Sequence, residues 1–138
     1  RSKNKRTRDM AISNIQETLL MYTKQKSMIN EKLANVQFNL MNASRESAEL
    51  QQKYNEQQQY YYYEYYEDSP DEYMAVMEIL ENEHEYELQN LNSWEAQLEM
   101  DKNNYETRLN EITTFESSWT KLLQTNIKND FTYGGAGK

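Results

Sequence analysis

Glu81-Asn82-Glu83-His84 sets a glutamate three residues ahead of the chain's only histidine, a spacing that puts both side chains on one face of a helix. Two such pairs with two further glutamates build the carboxylate-bridged metal centres of helical bundles. Here the pair occurs once, in a glutamate-rich stretch, and His84 falls on an apolar line. A buried or rim histidine is therefore expected rather than a metal ligand. Ser, His and Asp all occur, but nothing in the pattern suggests a rigid concave pocket to assemble them. The three glycines crowd the C-terminal tail and open no helix, so no phosphate-cradling loop is present. The chain has no cysteine, which removes thiol nucleophiles, thiolate metal sites and disulfides. No catalytic residue, cofactor or metal site is assigned, and an enzyme is not expected.

A second chemistry is that of contact. Seven of the twelve tyrosines lie between Tyr60 and Tyr73, namely Tyr60, Tyr61, Tyr62, Tyr63, Tyr65, Tyr66 and Tyr73. A helix distributes consecutive residues around its circumference, so the six from Tyr60 to Tyr66 cannot all face one neighbour. Tyrosine offers a large, stiff surface with a hydrogen-bonding tip, which suits protein interfaces. Glu64, Glu67, Asp68, Asp71 and Glu72 make the same region strongly negative.

These residues surround the only proline. Ser69-Pro70-Asp71-Glu72 supplies an N-cap serine, a proline at the first helical position and a glutamate three residues after the cap. Before it, apolar residues step three and four along Ile12, Leu19, Lys26, Leu33, Leu40, Ser47, Tyr54 and Tyr61. A companion line runs Ile15, Tyr22, Ile29, Val36, Ala43, Leu50, Gln57 and Glu64. These are the a and d positions of a coiled-coil heptad, with Lys26, Ser47 and Gln57 as polar seam residues that set register. After the proline a seven-residue line runs Met77, His84, Leu91, Leu98, Tyr105, Ile112 and Trp119. Its partners drift through Leu80, Leu88, Trp94, Leu109, Phe115, and Leu122 with Leu123.

The expectation is an all-α fold: a long antiparallel two-helix hairpin, a coiled coil bent at about 68–70, with flexible termini. Residues 1–9 read as a basic arm, 10–67 as the first helix, 71–127 as the second, and 129–138 as a glycine-containing tail. Met10-Ala11-Ile12 has the form of a natural start. Several large apolar residues fall off the seam: Leu20, Met21, Met28, Phe38 and Met41 on the first arm, and Ile79, Tyr86 and Met100 on the second. Met28, Phe38 and Met41, with the tyrosines, are the candidate protein-interaction residues, since an aligned exposed apolar stripe marks an association face.

Charge and hydropathy exclude several partner classes. The net charge is −8 and the mean hydropathy −1.12, too polar for a thick globular core. Disorder is the usual reading of such values, but the regular apolar spacing argues for helices. Arg1, Lys3, Lys5, Arg6 and Arg8 place five positive charges in the first eight residues, against ten basic and twenty-three acidic residues afterwards, or −13. An acidic body does not suit nucleic acid, whose phosphates need a basic face. No apolar run reaches the roughly 20 residues of a membrane span. The lack of cysteine fits a reducing cytoplasm and equally export without a cleavable signal peptide.

A capped, proline-marked bend between two helices resembles the subunits of type III secretion needles and filaments, which assemble helically through hairpin surfaces. The length also resembles the coiled-coil stalk protein of flagellar export ATPases. The small hairpins exported by type VII systems carry Trp-x-Gly at the bend, whereas Trp94 is followed by Glu95-Ala96 inside the second arm. These likenesses are architectural. They accord with a non-enzymatic hairpin that self-associates with copies of itself or with other helical proteins, as a filament or secretion-apparatus component. The alternative is a soluble coiled-coil adaptor, stalk or export chaperone that binds a protein through the tyrosine- and acid-rich tip.

Overall fold

A computed structural model describes residues 2–136, with side chains from 5 to 129. Two long helices pack against each other as an all-α helical hairpin. The first, α1, spans Ser2–Tyr65 and the second, α2, spans Pro70–Ala136. Neither helix interior contains proline, and glycine is confined to the far end of α2. Threonine, which often competes with helical hydrogen bonding, instead bonds back to the preceding turn. Thr18 Oγ1 donates to the Asn14 carbonyl at 2.9 Å, and Thr113 Oγ1 to that of Leu109 at 2.8 Å.

Residues 66–69 link the helices. The Ser69 N–H donates to the Tyr65 carbonyl at 2.9 Å, and the Tyr73 N–H donates to the Ser69 carbonyl at 2.9 Å. Ser69 therefore occupies the N-cap position and Pro70 is the first helical residue, where its missing N–H leaves no bond unmade. Asp71 and Glu72 lie in the first turn and complement the helix dipole. The bend thus starts two residues earlier than the expected 68–70, because α1 ends at Tyr65 rather than at 67.

The helix ends differ further from the sequence reading. The basic stretch expected as an arm lies within α1, which opens at Ser2 instead of residue 10. No proline or glycine interrupts residues 2–9, and extending an existing helix costs far less than nucleating one. At the other end α2 runs through Gly134 and Gly135 to Ala136, past the expected stop near 127, and among the described residues no glycine has positive φ.

Packing divides into two compact units, Arg1–Ala34 with Asn104–Lys138, and Asn35–Asn103. In the first, Ile29, Leu33 and Ile112 form a buried cluster flanked by Tyr22, Tyr105 and Leu109, and Ile15 is also buried. In the second, Val36, Ala43, Leu80, Leu91 and Leu98 are buried. Every one of these lies on the expected seam lines, and no polar residue is buried among the described residues. The core is one side chain deep, as two helices allow, and burial of about 25 cal/mol per Å² along its length supplies the main stabilisation.

Two details of the seam depart from the expected lines. Trp94, Phe115 and Leu122 remain substantially exposed, while Glu95, Glu116 and Leu123 take the inward positions. Two helices cannot enclose a large ring, so the aromatics cover the seam's edge instead: Phe115 stacks against Tyr22 with centroids 6.2 Å apart. Near the bend, Glu64 is exposed and Tyr65 is half-buried. There α1 steps 57, 61, 65, two fours in succession, matching the expected 80, 84, 88 of α2. The extra step absorbs the drift of a 3.6-residue helix against a 3.5-residue repeat. It also keeps a carboxylate out of the seam, where desolvation would cost free energy.

Candidate functional site

The tyrosines sort into distinct environments because α1 carries them around its circumference while α2 returns alongside. Tyr61 and Tyr65 are half-buried toward the seam, and their rings lie 6.0 Å apart. Tyr60 packs edge-on to Tyr61 at 5.3 Å. On another side, Tyr62 and Tyr66 stack at 4.6 Å with 24° between planes, one helical turn apart. Tyr73, from the first turn of α2, meets both edge-on, at 6.0 Å from Tyr62 and 5.5 Å from Tyr66. Edge-to-face and offset stacks at these distances are favourable beyond the area they bury, by about 0.5–1.5 kcal/mol per pair. The three rings therefore brace the bend itself.

Tyr63 differs. Among the described residues its ring meets that of Tyr62 edge-on at 5.8 Å, and it is 84% exposed; Tyr60 is 59% exposed. Glu64, Glu67, Asp68, Asp71 and Glu72 follow these rings in sequence and are all exposed. None of the five carboxylates makes an ion pair among the described residues. No Lys or Arg occurs between Lys53 and Lys102. The tip thus offers flat aromatic faces within an unneutralised negative field.

The off-seam apolar residues are exposed as a set. Met28 lies in the first unit, exposed with Leu20 and Met21 on α1. In the second unit Phe38 is 63% and Met41 71% exposed; three residues apart, they adjoin on the side of α1 away from the seam. Ile79, Tyr86 and Met100 are exposed along the corresponding outer side of α2. The second unit accordingly presents apolar side chains on the backs of both helices.

His84 occupies the seam of the second unit. Its ring lies 4.1 Å from that of Tyr54, with 12° between planes, a close stack. Glu83, Glu87, Lys53 and Gln57 border the space beside it, which amounts to about 10 Å³, room for at most one water. Lys53 and Glu87 approach to 3.9 Å across the two helices. Glu81 faces solvent and is not part of this cluster. Among the described residues no three His, Asp or Glu side chains are grouped to hold a metal ion. The stack with Tyr54 was beyond reach of spacing alone, because it joins residues thirty positions apart on different helices. Among the described residues, no helix is long and apolar enough to cross a membrane.

Comparison with protein-family models, with curated proteins and with solved structures finds no match to this chain.

Proposed function

We propose that this chain is a non-enzymatic structural protein, a helical-hairpin subunit that self-associates into a larger assembly such as a filament or a component of a secretion apparatus. The observation that carries this reading is the exposure of large apolar residues on the outer sides of both helices in the second unit: Phe38 and Met41 on α1, and Ile79, Tyr86 and Met100 on α2. One apolar face would be satisfied by a dimer. Two faces let each copy contact two neighbours, and contacts that do not close on themselves propagate. The one-side-chain core inside each unit leaves further helix packing as the available way to bury this surface.

Size-exclusion chromatography with light scattering, followed by negative-stain microscopy, tests the reading. Species larger than a dimer, growing with concentration, are expected. A monodisperse monomer at high micromolar concentration would sink it and favour the second reading, an adaptor or export chaperone. That alternative draws on the exposed rings of Tyr63 and Tyr60 near the bend, a residue type that suits protein docking.

A further inference from the structure

The two packing units divide the charge of the chain between them. Arg1–Ala34 with Asn104–Lys138 contains twelve Lys and Arg against seven Asp and Glu, or +5. Asn35–Asn103 contains three against sixteen, or −13, and the two together restore the chain's −8. The imbalance is not neutralised locally: in the second unit the described ion pairs are Lys53 with Glu87 and Arg45 with Glu49, both at 3.9 Å. We infer that the acidic, tyrosine-bearing bend of one copy docks on the basic first unit of a second copy, a head-to-tail contact. This inference rests on the self-association proposed above and names one of its interfaces.

Chemistry on each surface matches the other. Around the bend, Tyr60 and Tyr63 expose ring faces beside Glu64 and Glu67. In the first unit, Lys5 and Arg6 are exposed on α1, followed by Met10 at 66% exposure, with Lys121, Leu122 and Ile127 exposed on α2. An open groove lined by Arg8, Ala11, Ile12, Asn126 and Asn129 separates the helices there. A cationic side chain can pair with a carboxylate and lie over a tyrosine face at once, and the apolar residues between the cations can take the ring edges. Exposed ion pairs alone are too weak to hold two copies. Tyrosine burial supplies the affinity, and the charge selects the orientation and speeds encounter. Two tips repel each other, as do two basic units, so only the head-to-tail arrangement is favoured. Such a contact uses different surfaces on its two sides and repeats from copy to copy.

Charge-swap complementation tests this. The tip variant Glu64→Lys with Glu67→Lys and the base variant Lys5→Glu with Arg6→Glu change no buried residue, and circular dichroism should show parental helicity for both. Each variant alone should associate about tenfold more weakly than the parent, while an equimolar mixture recovers parental association, because each tip then meets a complementary base. The parent should itself weaken about tenfold from roughly 0.05 to 0.5 M NaCl. Tyr60→Ser with Tyr63→Ser should weaken association at every salt concentration without altering its salt dependence. If the parent assembles but the reversed variants assemble equally well and salt has no effect, the head-to-tail contact is overturned while self-association through the outer apolar sides stands. If the parent remains monomeric, both fail together.

Discussion

Lys26 Nζ donates to Glu116 Oε1 at 3.1 Å, joining inward positions of the two facing helices in the first unit. The side chains are 30% and 28% exposed, so the pair lies at the margin of the seam rather than in water or in the core. Ile29 lies one turn after Lys26 and Ile112 one turn before Glu116, and both belong to the buried cluster with Leu33. A charged pair among apolar contacts contributes less than an apolar pair would, but a slipped register would leave each charge against hydrocarbon. That penalty is how a polar seam residue selects one alignment.

Double-mutant cycles with Lys26→Leu and Glu116→Leu should give a coupling below about 1 kcal/mol, given the partial exposure and the freedom of Lys to reach water. The double variant should be more stable than the parent by about 1 kcal/mol, as when apolar residues replace a desolvated pair. Urea unfolding measures both. A coupling of several kcal/mol would mean that the pair, and not the apolar cluster, anchors this unit.

Core and outer residues should respond differently. Ile112 is 1% exposed, and Ile112→Ala should cost about 2–5 kcal/mol through lost transfer energy and a cavity that two helices only partly close. Met28→Gln and Phe38→Gln change exposed side chains, and each should alter unfolding by less than about 0.5 kcal/mol. Their effect should appear in particle size by light scattering. If the Gln variants unfold as readily as Ile112→Ala, the division between seam and outer face is wrong.

His84 should act as a packing residue. Loss of the Tyr54 stack in His84→Ala should destabilise by about 1 kcal/mol, and excess zinc should leave the thermal midpoint of the parent unchanged. A zinc-dependent rise that disappears in His84→Ala would show instead that the glutamates beside the ring complete a metal site.

At the bend, Ser69 is held by main-chain hydrogen bonds to Tyr65 and Tyr73. Ser69→Ala should therefore cost about 0.5 kcal/mol, the low end of the N-cap range. Removing the braces should cost more: Tyr66→Ala with Tyr73→Ala breaks three ring contacts with centroids between 4.6 and 6.0 Å, about 0.5–1.5 kcal/mol for each. Calorimetric midpoints of the two variants decide between a bend held by its cap and one held by its rings.

The amino-acid sequence by itself determined the helices, the place of the reversal and which residues form the core. Ile15, Leu33, Leu80 and Ile112 recur at spacings that one helix places on one side, and Ser69-Pro70 carries its own start signal, so each is a local property. Helix ends were less legible: the open stretch from Ser2 to Asp9 contains no breaker, and only continuity with the turns after it makes it helical. Tertiary structure decided the rest. Periodicity between 3.5 and 3.6 residues leaves neighbouring columns such as Phe115 and Glu116 equivalent until a partner is opposite, and it is Glu116 that lies inward, where it meets Lys26. The stack of Tyr54 on His84, the bracing of Tyr62 and Tyr66 by Tyr73, and the division of charge between the two packing units likewise depend on which turn of α1 lies beside which turn of α2. Side-chain contact across the seam sets that alignment, and no single helix contains it.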